Sequence, residues 1–230
     1  LVLMNDMHNT IHIYETATGN AVFSVRHGDA EKVSSVCFCG TADMFVVAGS
    51  AGAIFYVNEG NSFLPSTGFR RYERRAGLLG PFAAQLEGAS AIQTNACRFE
   101  FLDETVTGTA NGEILFWHGR NCVQVLKAFA ESDPVNRLSF NPVTKIIAAS
   151  SGIGKIALFK LSAGSAAPAA GVTKAGPKVP LVRQLETCFT FDLMHLGAAK
   201  PEPMALCVHD NGERCLLGTR SGDVYELSLK

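Results

Sequence analysis

Several things are missing from this sequence. No apolar run approaches the roughly 18 residues that a membrane-spanning helix needs, and no N-x-Ser/Thr sequon occurs. No secretory leader is expected at the start. The seven cysteines, scattered from Cys37 to Cys215, include no C-x-x-C pair and stand beside no histidine cluster. That spacing is poor for a disulfide framework or a zinc site, and an intracellular, reducing compartment is the expectation. Charge is nearly balanced at −1 over 230 residues. The chain as a whole therefore has no long-range pull on nucleic acid or anionic membrane, and neither is expected as a partner.

Catalytic signatures are missing too. There is no GxSxG elbow, HExxH, Walker loop or strand-borne GxGxxG. The run Ser151-Gly152-Ile153-Gly154-Lys155 has the flavour of a phosphate loop. It lacks the four-residue spacer and the following Ser/Thr, and it falls at a strand-to-strand turn. The six histidines (His8, His12, His27, His118, His195, His209) are dispersed. Cys37 and Cys39 share one face of a strand, where small residues near a crowded axis are expected. No cofactor, metal or catalytic residue is assigned.

What is present is a repeat. VSSVCF from Val33, TNACRF from Thr94, VNRLSF from Val135 and MALCVH from Met204 stack as short alternating strands. Each is followed by a strand, a Gly turn and another strand: FVVAGSAGAIFYV, TVTGTANGEILFW, IIAASSGIGKIALF and CLLGTRSGDVYEL. Gly52, Gly112, Gly154 and Gly222 supply the positive φ expected of two-residue hairpin turns, Asn111-Gly112 being the clearest. Thr10–Tyr14 resembles the end of a fifth copy. Gly112 and Gly154 are 42 residues apart, within the roughly 40–45-residue period of four-stranded propeller blades.

A fourth strand of each copy is expected at Ala21–Arg26, about 69–79, Cys122–Ala128 and Leu181–Phe191. No long amphipathic helix is visible. The fold expected is therefore an all-β, WD40-like propeller of about three complete and two partial four-stranded blades, a fragment of a larger ring. The partial blades would be 1–30 and 203–230. The complete ones would be 31–80, 91–130 and 131–193, the last with a flexible insertion at 162–180. Leu1 in place of Met fits that expectation. Trp117 would pack between blades.

The Gly turn, the terminal Trp117 and the His27-Gly28 dipeptide are similar to WD40 repeats. The His–Ser/Thr–Asp–Trp brace of that family is mostly broken here. A closer resemblance runs through RRYERRAGLLG, IQTNACRFEFLDETVTGTANGEILFWHGR, VLKAFAESDPV and CLLGTRSGDVYEL. It is to the echinoderm microtubule-associated protein-like (EML) family, over about residues 30–230 and most strongly over 69–140. Phe129 and Ala130 depart from it, standing where that family has HxG. The resemblance implies a non-enzymatic scaffold on microtubules, in the cytoplasm and cytoskeleton or the axoneme of a cilium or flagellum. Its partners would be tubulin and neighbouring axonemal or cytoskeletal proteins.

Arg70, Arg71, Arg74 and Arg75, in the run RRYERR, are the candidate contacts to tubulin or another acidic partner, since a guanidinium pairs bidentately with carboxylates. The same charges also suit protection of an exposed sheet edge. Lys174 and Lys178 in the insertion could touch the same partner, or the loop is a tolerated insertion. A WD-repeat adaptor in a non-microtubule complex, such as a ubiquitin-ligase or trafficking assembly, is the alternative.

Overall fold

The computed structural model describes residues 1–28, 31–40, 43–58, 72–99, 104–161, 184–196 and 202–229. Arg70, Arg71, Lys174, Lys178 and the 162–180 insertion lie outside them. Five antiparallel sheets follow one another along the chain. The first holds β1 (Val2–Asn5), β2 (Thr10–Tyr14) and β3 (Ala21–Arg26). The second holds β4 (Val33–Phe38), β5 (Met44–Gly49), β6 (Gly52–Asn58) and β7 (Tyr72–Ala76). The third runs from β8 (Gln93–Arg98) through β9 (Glu104–Thr109) and β10 (Glu113–His118) to β11 (Asn121–Lys127). The fourth comprises β12 (Val135–Asn141), β13 (Ile146–Ser151), β14 (Lys155–Leu161) and β15 (Leu185–Asp192). The fifth comprises β16 (Pro203–Val208), β17 (Arg214–Thr219) and β18 (Val224–Ser228). Each sheet is a meander of sequential strands, so each is a propeller blade, three of them four-stranded and two three-stranded. The helices among the described residues are short 3₁₀ turns at Gly80–Gln85, Gly88–Ala91 and Leu193–Leu196.

Strands β4, β8, β12 and β16 neighbour one another and form the inner wall of the arc. All four carry a β-bulge at the same place, after Val33, Gln93, Val135 and Pro203. The extra residue bends the strand and re-aims its side chain. In two blades that side chain ties one blade to the next: Thr94 donates to the Val135 carbonyl, and Asn136 to the Pro203 carbonyl. Alternation along the strands puts apolar residues on both faces, so the core forms four slabs between successive blades rather than one mass. Trp117 belongs to the slab between the second and third blades. Its ring meets Phe55 edge-on at 5.3 Å, and its Nε1 donates to Thr107 Oγ1 at 2.8 Å. It packs blades, as its sequence position suggested.

The turn glycines all have positive φ: 87° at Gly52, 81° at Gly112, 95° at Gly154 and 91° at Gly222. Loop length corrects the sequence reading. Only Ser50-Ala51 is a two-residue loop; in the other three hairpins the last paired residues, Gly108 with Ile114, Ser150 with Ile156 and Gly218 with Val224, enclose five. The longer loops start from a hydroxyl, on Thr109, Ser151 or Thr219. Thr109 Oγ1 accepts from the Asn111 and Glu113 amides, and Ser151 Oγ from those of Ile153 and Lys155. Gly49 offers no such acceptor, and its loop is three residues shorter. Gly112 is fixed by crowding as well: a Cβ there would lie 2.9 Å from each of the Phe129, Ala130 and Asp133 carbonyl oxygens.

Candidate functional site

Of the arginines singled out in the sequence, Arg74 and Arg75 fall on the outer strand β7. Neither presents a free charge. Arg74 Nη2 donates to both Glu31 carboxylate oxygens, at 2.9 and 2.7 Å. Arg75 Nε donates to Glu73 Oε2 at 2.9 Å. Much of the charge that RRYERR shows in sequence is thus matched within the chain.

Arg74 also completes a polar latch at the entry into the second blade. His27, just past β3, is buried; its Nδ1 hydrogen-bonds Tyr56 OH at 3.0 Å, and its Nε2 lies 3.2 Å from Glu31 Oε2. Burial holds His27 below its ordinary pKa of 6.5, with Glu31 opposing. Burial likewise pushes the Tyr56 phenol up. The latch joins the first blade's last loop to the middle and outer strands of the second.

The entry into the fourth blade has the same spacing and different chemistry. Phe129 and Asp133 precede Val135 by the same steps as His27 and Glu31 precede Val33. Tyr56 pairs with Phe45 and Arg74 across its sheet; its counterpart Phe159 pairs with Ile147 and Thr187. His27, Tyr56 and Arg74 thereby become Phe129, Phe159 and Thr187, and only the acid remains. Asp133 is 4% exposed, and neither carboxylate oxygen has a hydrogen-bond partner. Its neighbour is Lys155 Nζ at 3.7 Å, beyond hydrogen-bond range.

A cavity of about 530 Å³ opens beside this entry, with Phe129, Ala130, Lys155, Phe191, Asp192 and His195 in its walls. Lys127, also in the wall, is occupied: its ammonium donates to the Asn111 carbonyl at 2.6 Å and to Glu113 Oε1 at 3.1 Å. Burial raises the Glu113 carboxyl, but hydrogen bonds from Thr109, Lys127 and Asn111 together outweigh it and hold the group below its ordinary value. Lys155 faces Asp192 across the β14–β15 ladder and pairs with Asp133. The loop beside the cavity exposes Ile153 and Met194, and the Leu193 amide ties it to the Gly154 carbonyl at 3.1 Å. Sequence reasoning weighed this ground only as SGIGK and as a departure at Phe129-Ala130. The acid four residues after Phe129, matching Glu31 after His27, was the signal that could have found it.

The remaining candidates read as structural. Burial pushes the Cys37 thiol up to about 11, Cys122 to about 12 and Cys215 to about 11, leaving them protonated at neutral pH. Among the described residues, no three His, Cys, Asp or Glu side chains are grouped to hold a metal ion. Ser151–Lys155 is a strand–loop–strand turn.

No protein-family model and no curated protein matches the chain. Among solved structures, 1204 chains match. One is the β-propeller domain of Cps50 (Swd1) from Myceliophteria thermophila, with a TM-score of 0.70 and 13% identity over 98% of this chain and 64% of that one. At that identity the likeness shows the fold alone: a WD40-type β-propeller, of which this chain spans less than two thirds of the matched structure's length. Membership of the EML family is not supported.

Proposed function

We propose that the protein is a non-enzymatic recognition scaffold that docks partner proteins on the loop face of its propeller arc. The observation that carries this reading is the cavity at the fourth-blade entry. It combines aromatic walls, a few convergent charged groups and a neighbouring apolar loop with Ile153 and Met194 exposed, the mixture expected of a binding site rather than of a sealed blade junction. The scaffold supplies rigidity, and its loops supply specificity.

Two classes of partner fit this scaffold. Microtubule association, in the cytoskeleton or an axoneme, is supported by the EML-like run from RRYERR to FWHGR. An adaptor role in a non-microtubule complex, such as a ubiquitin-ligase or trafficking assembly, is favoured by the in-chain pairing of Arg74 and Arg75. That pairing leaves less free positive charge for an acidic tubulin surface. Co-sedimentation with microtubules at low and raised salt separates the two. The adaptor reading expects the protein to stay in the supernatant at both. Salt-sensitive pelleting that is lost in Arg74→Glu/Arg75→Glu would restore the microtubule reading.

A further inference from the structure

The chain holds two Asn-Gly pairs, Asn111-Gly112 in the β9–β10 turn and Asn211-Gly212 in the β16–β17 turn, each followed by a glutamate. Both glycines have positive φ, 81° and 70°. At such a pair the backbone nitrogen of the glycine can reach the carboxamide before it, because no side chain shields that nitrogen or restricts its approach. The structure holds the two carboxamides differently.

Asn111 is clamped from outside its turn. Its Oδ1 accepts from the Ser132 amide at 3.0 Å, and Lys127 donates to its carbonyl at 2.6 Å. The amides of Ala128 and Phe129 hold the Gly112 carbonyl at 2.9 and 3.0 Å. Gly112 is buried against three backbone carbonyl oxygens, which leave no space for a ring to form. Asn211 is exposed, and its Oδ1 accepts from the Glu213 amide at 3.0 Å, which folds the carboxamide over the Gly212 peptide. Among the described residues its other side-chain contacts are His209 Nδ1 at 2.9 Å and Glu213 Oε2 at 3.4 Å, both within the same turn. Gly212 has the Thr144 methyl beside it, a side chain rather than backbone. Its amide is bound to the His209 carbonyl at 2.8 Å, and local opening of that exposed turn frees it.

We propose that Asn211 is a site of spontaneous conversion to isoaspartate and aspartate, and that the fold protects Asn111 from the same reaction. The Gly212 nitrogen gives its proton to solvent and bonds to Asn211 Cγ. The Cγ–Nδ2 bond breaks, and Nδ2 takes a proton from water and leaves as ammonia. Water then opens the succinimide at either carbonyl. The sum is one water consumed and one ammonia released, with nothing oxidised or reduced. Opening at the backbone carbonyl routes the main chain through the former side chain, which adds a methylene and leaves a carboxylate next to Asp210. Buried Asn141 donates to the Val208 carbonyl at 3.0 Å and to Asp210 Oδ1 at 3.2 Å, tying the fourth blade to this turn. Isoaspartate at position 211 therefore loosens the junction of the fourth and fifth blades. The proposal is independent of the docking reading.

The test incubates the whole folded chain at mildly alkaline pH and follows the tryptic peptides 99–120 and 184–214 by mass spectrometry, with fragmentation that distinguishes isoaspartate from aspartate. Asn211 should convert at least about tenfold faster than Asn111, the ratio that about 1.4 kcal/mol between the two opening free energies gives. In urea the two rates should converge, and Asn211→Gln should abolish the fast conversion. Aged protein should show faster amide hydrogen exchange over 141–144 and 208–213 than fresh protein, and aged Asn211→Gln should not. Conversion of Asn111 as fast as Asn211 in the folded chain, no conversion of either, or a ratio that persists in urea overturns the proposal. So does conversion to aspartate alone, since direct hydrolysis forms no succinimide. Unchanged exchange in aged, converted protein overturns the loosening of the junction.

Discussion

The entry into the second blade is closed and the entry into the fourth is open, although both are cut to one spacing. In the first, His27, Tyr56, Glu31 and Arg74 satisfy one another, and the junction is sealed. In the second, Phe129, Phe159 and Thr187 replace the polar groups, the acid is kept without a hydrogen bond, and a cavity opens nearby. The contrast separates an acid that stabilises its junction from one that adds little to it. A latch that completes its own hydrogen bonds contributes to stability, whereas a buried carboxylate without donors does not. It also turns attention from the arginines of β7 to the fourth blade, since Arg74 is part of the sealed junction.

The largest expected effect breaks the open entry from beneath. Gly112→Ala places a methyl group against three backbone carbonyls at a φ of 81°. It should cost about 3 kcal/mol, read from urea unfolding with an unchanged m-value. Next comes the closed entry: His27→Ala strands the Tyr56 hydroxyl and part of Glu31, for about 2 kcal/mol. This variant also carries a pH signature. The folded-state pKa of His27 lies below 6.5, so the unfolded chain binds the extra proton first. The stability involved is complete above about pH 6.5 and is lost as pH falls through the folded value. Wild type should show that loss in denaturation midpoints between pH 7 and 5, and His27→Ala should show less of it.

A smaller effect, of the opposite sense, marks the open entry. Asp133→Asn removes a buried charge that has no hydrogen bond, so it should change stability by less than about 1 kcal/mol or raise it. A loss of about 3 kcal/mol or more would mean that Asp133 is already held as firmly as a structural ion pair. The smallest effect belongs to the surface: Arg74→Ala breaks a half-exposed pair with Glu31 and should cost about 0.5 kcal/mol.

Much of the architecture was legible in the chain. The stacked strands and turn glycines placed the inner, middle and most outer strands within a few residues, because period-two alternation and the need for positive φ leave marks in sequence. Loop length was not legible. It depends on whether residue 49, 109, 151 or 219 offers a hydroxyl to the turn amides, a detail of partners rather than of pattern. Nor was the cavity. Its walls come from β11, β14, β15 and the turn at His195, more than 60 residues apart, and only the packing of two blades brings them together. The arginine run was visible for the opposite reason: charge clusters stand out in sequence, while Glu31, more than 40 residues upstream, does not show there as the partner of Arg74.

Amide hydrogen exchange of the whole chain, compared between wild type, His27→Ala and Asp133→Asn, tests the central claim most directly. The account predicts faster exchange in β4 and β6 of His27→Ala and unchanged exchange in β12 and β14 of Asp133→Asn. A loss of protection in Asp133→Asn as large as that in His27→Ala would contradict it.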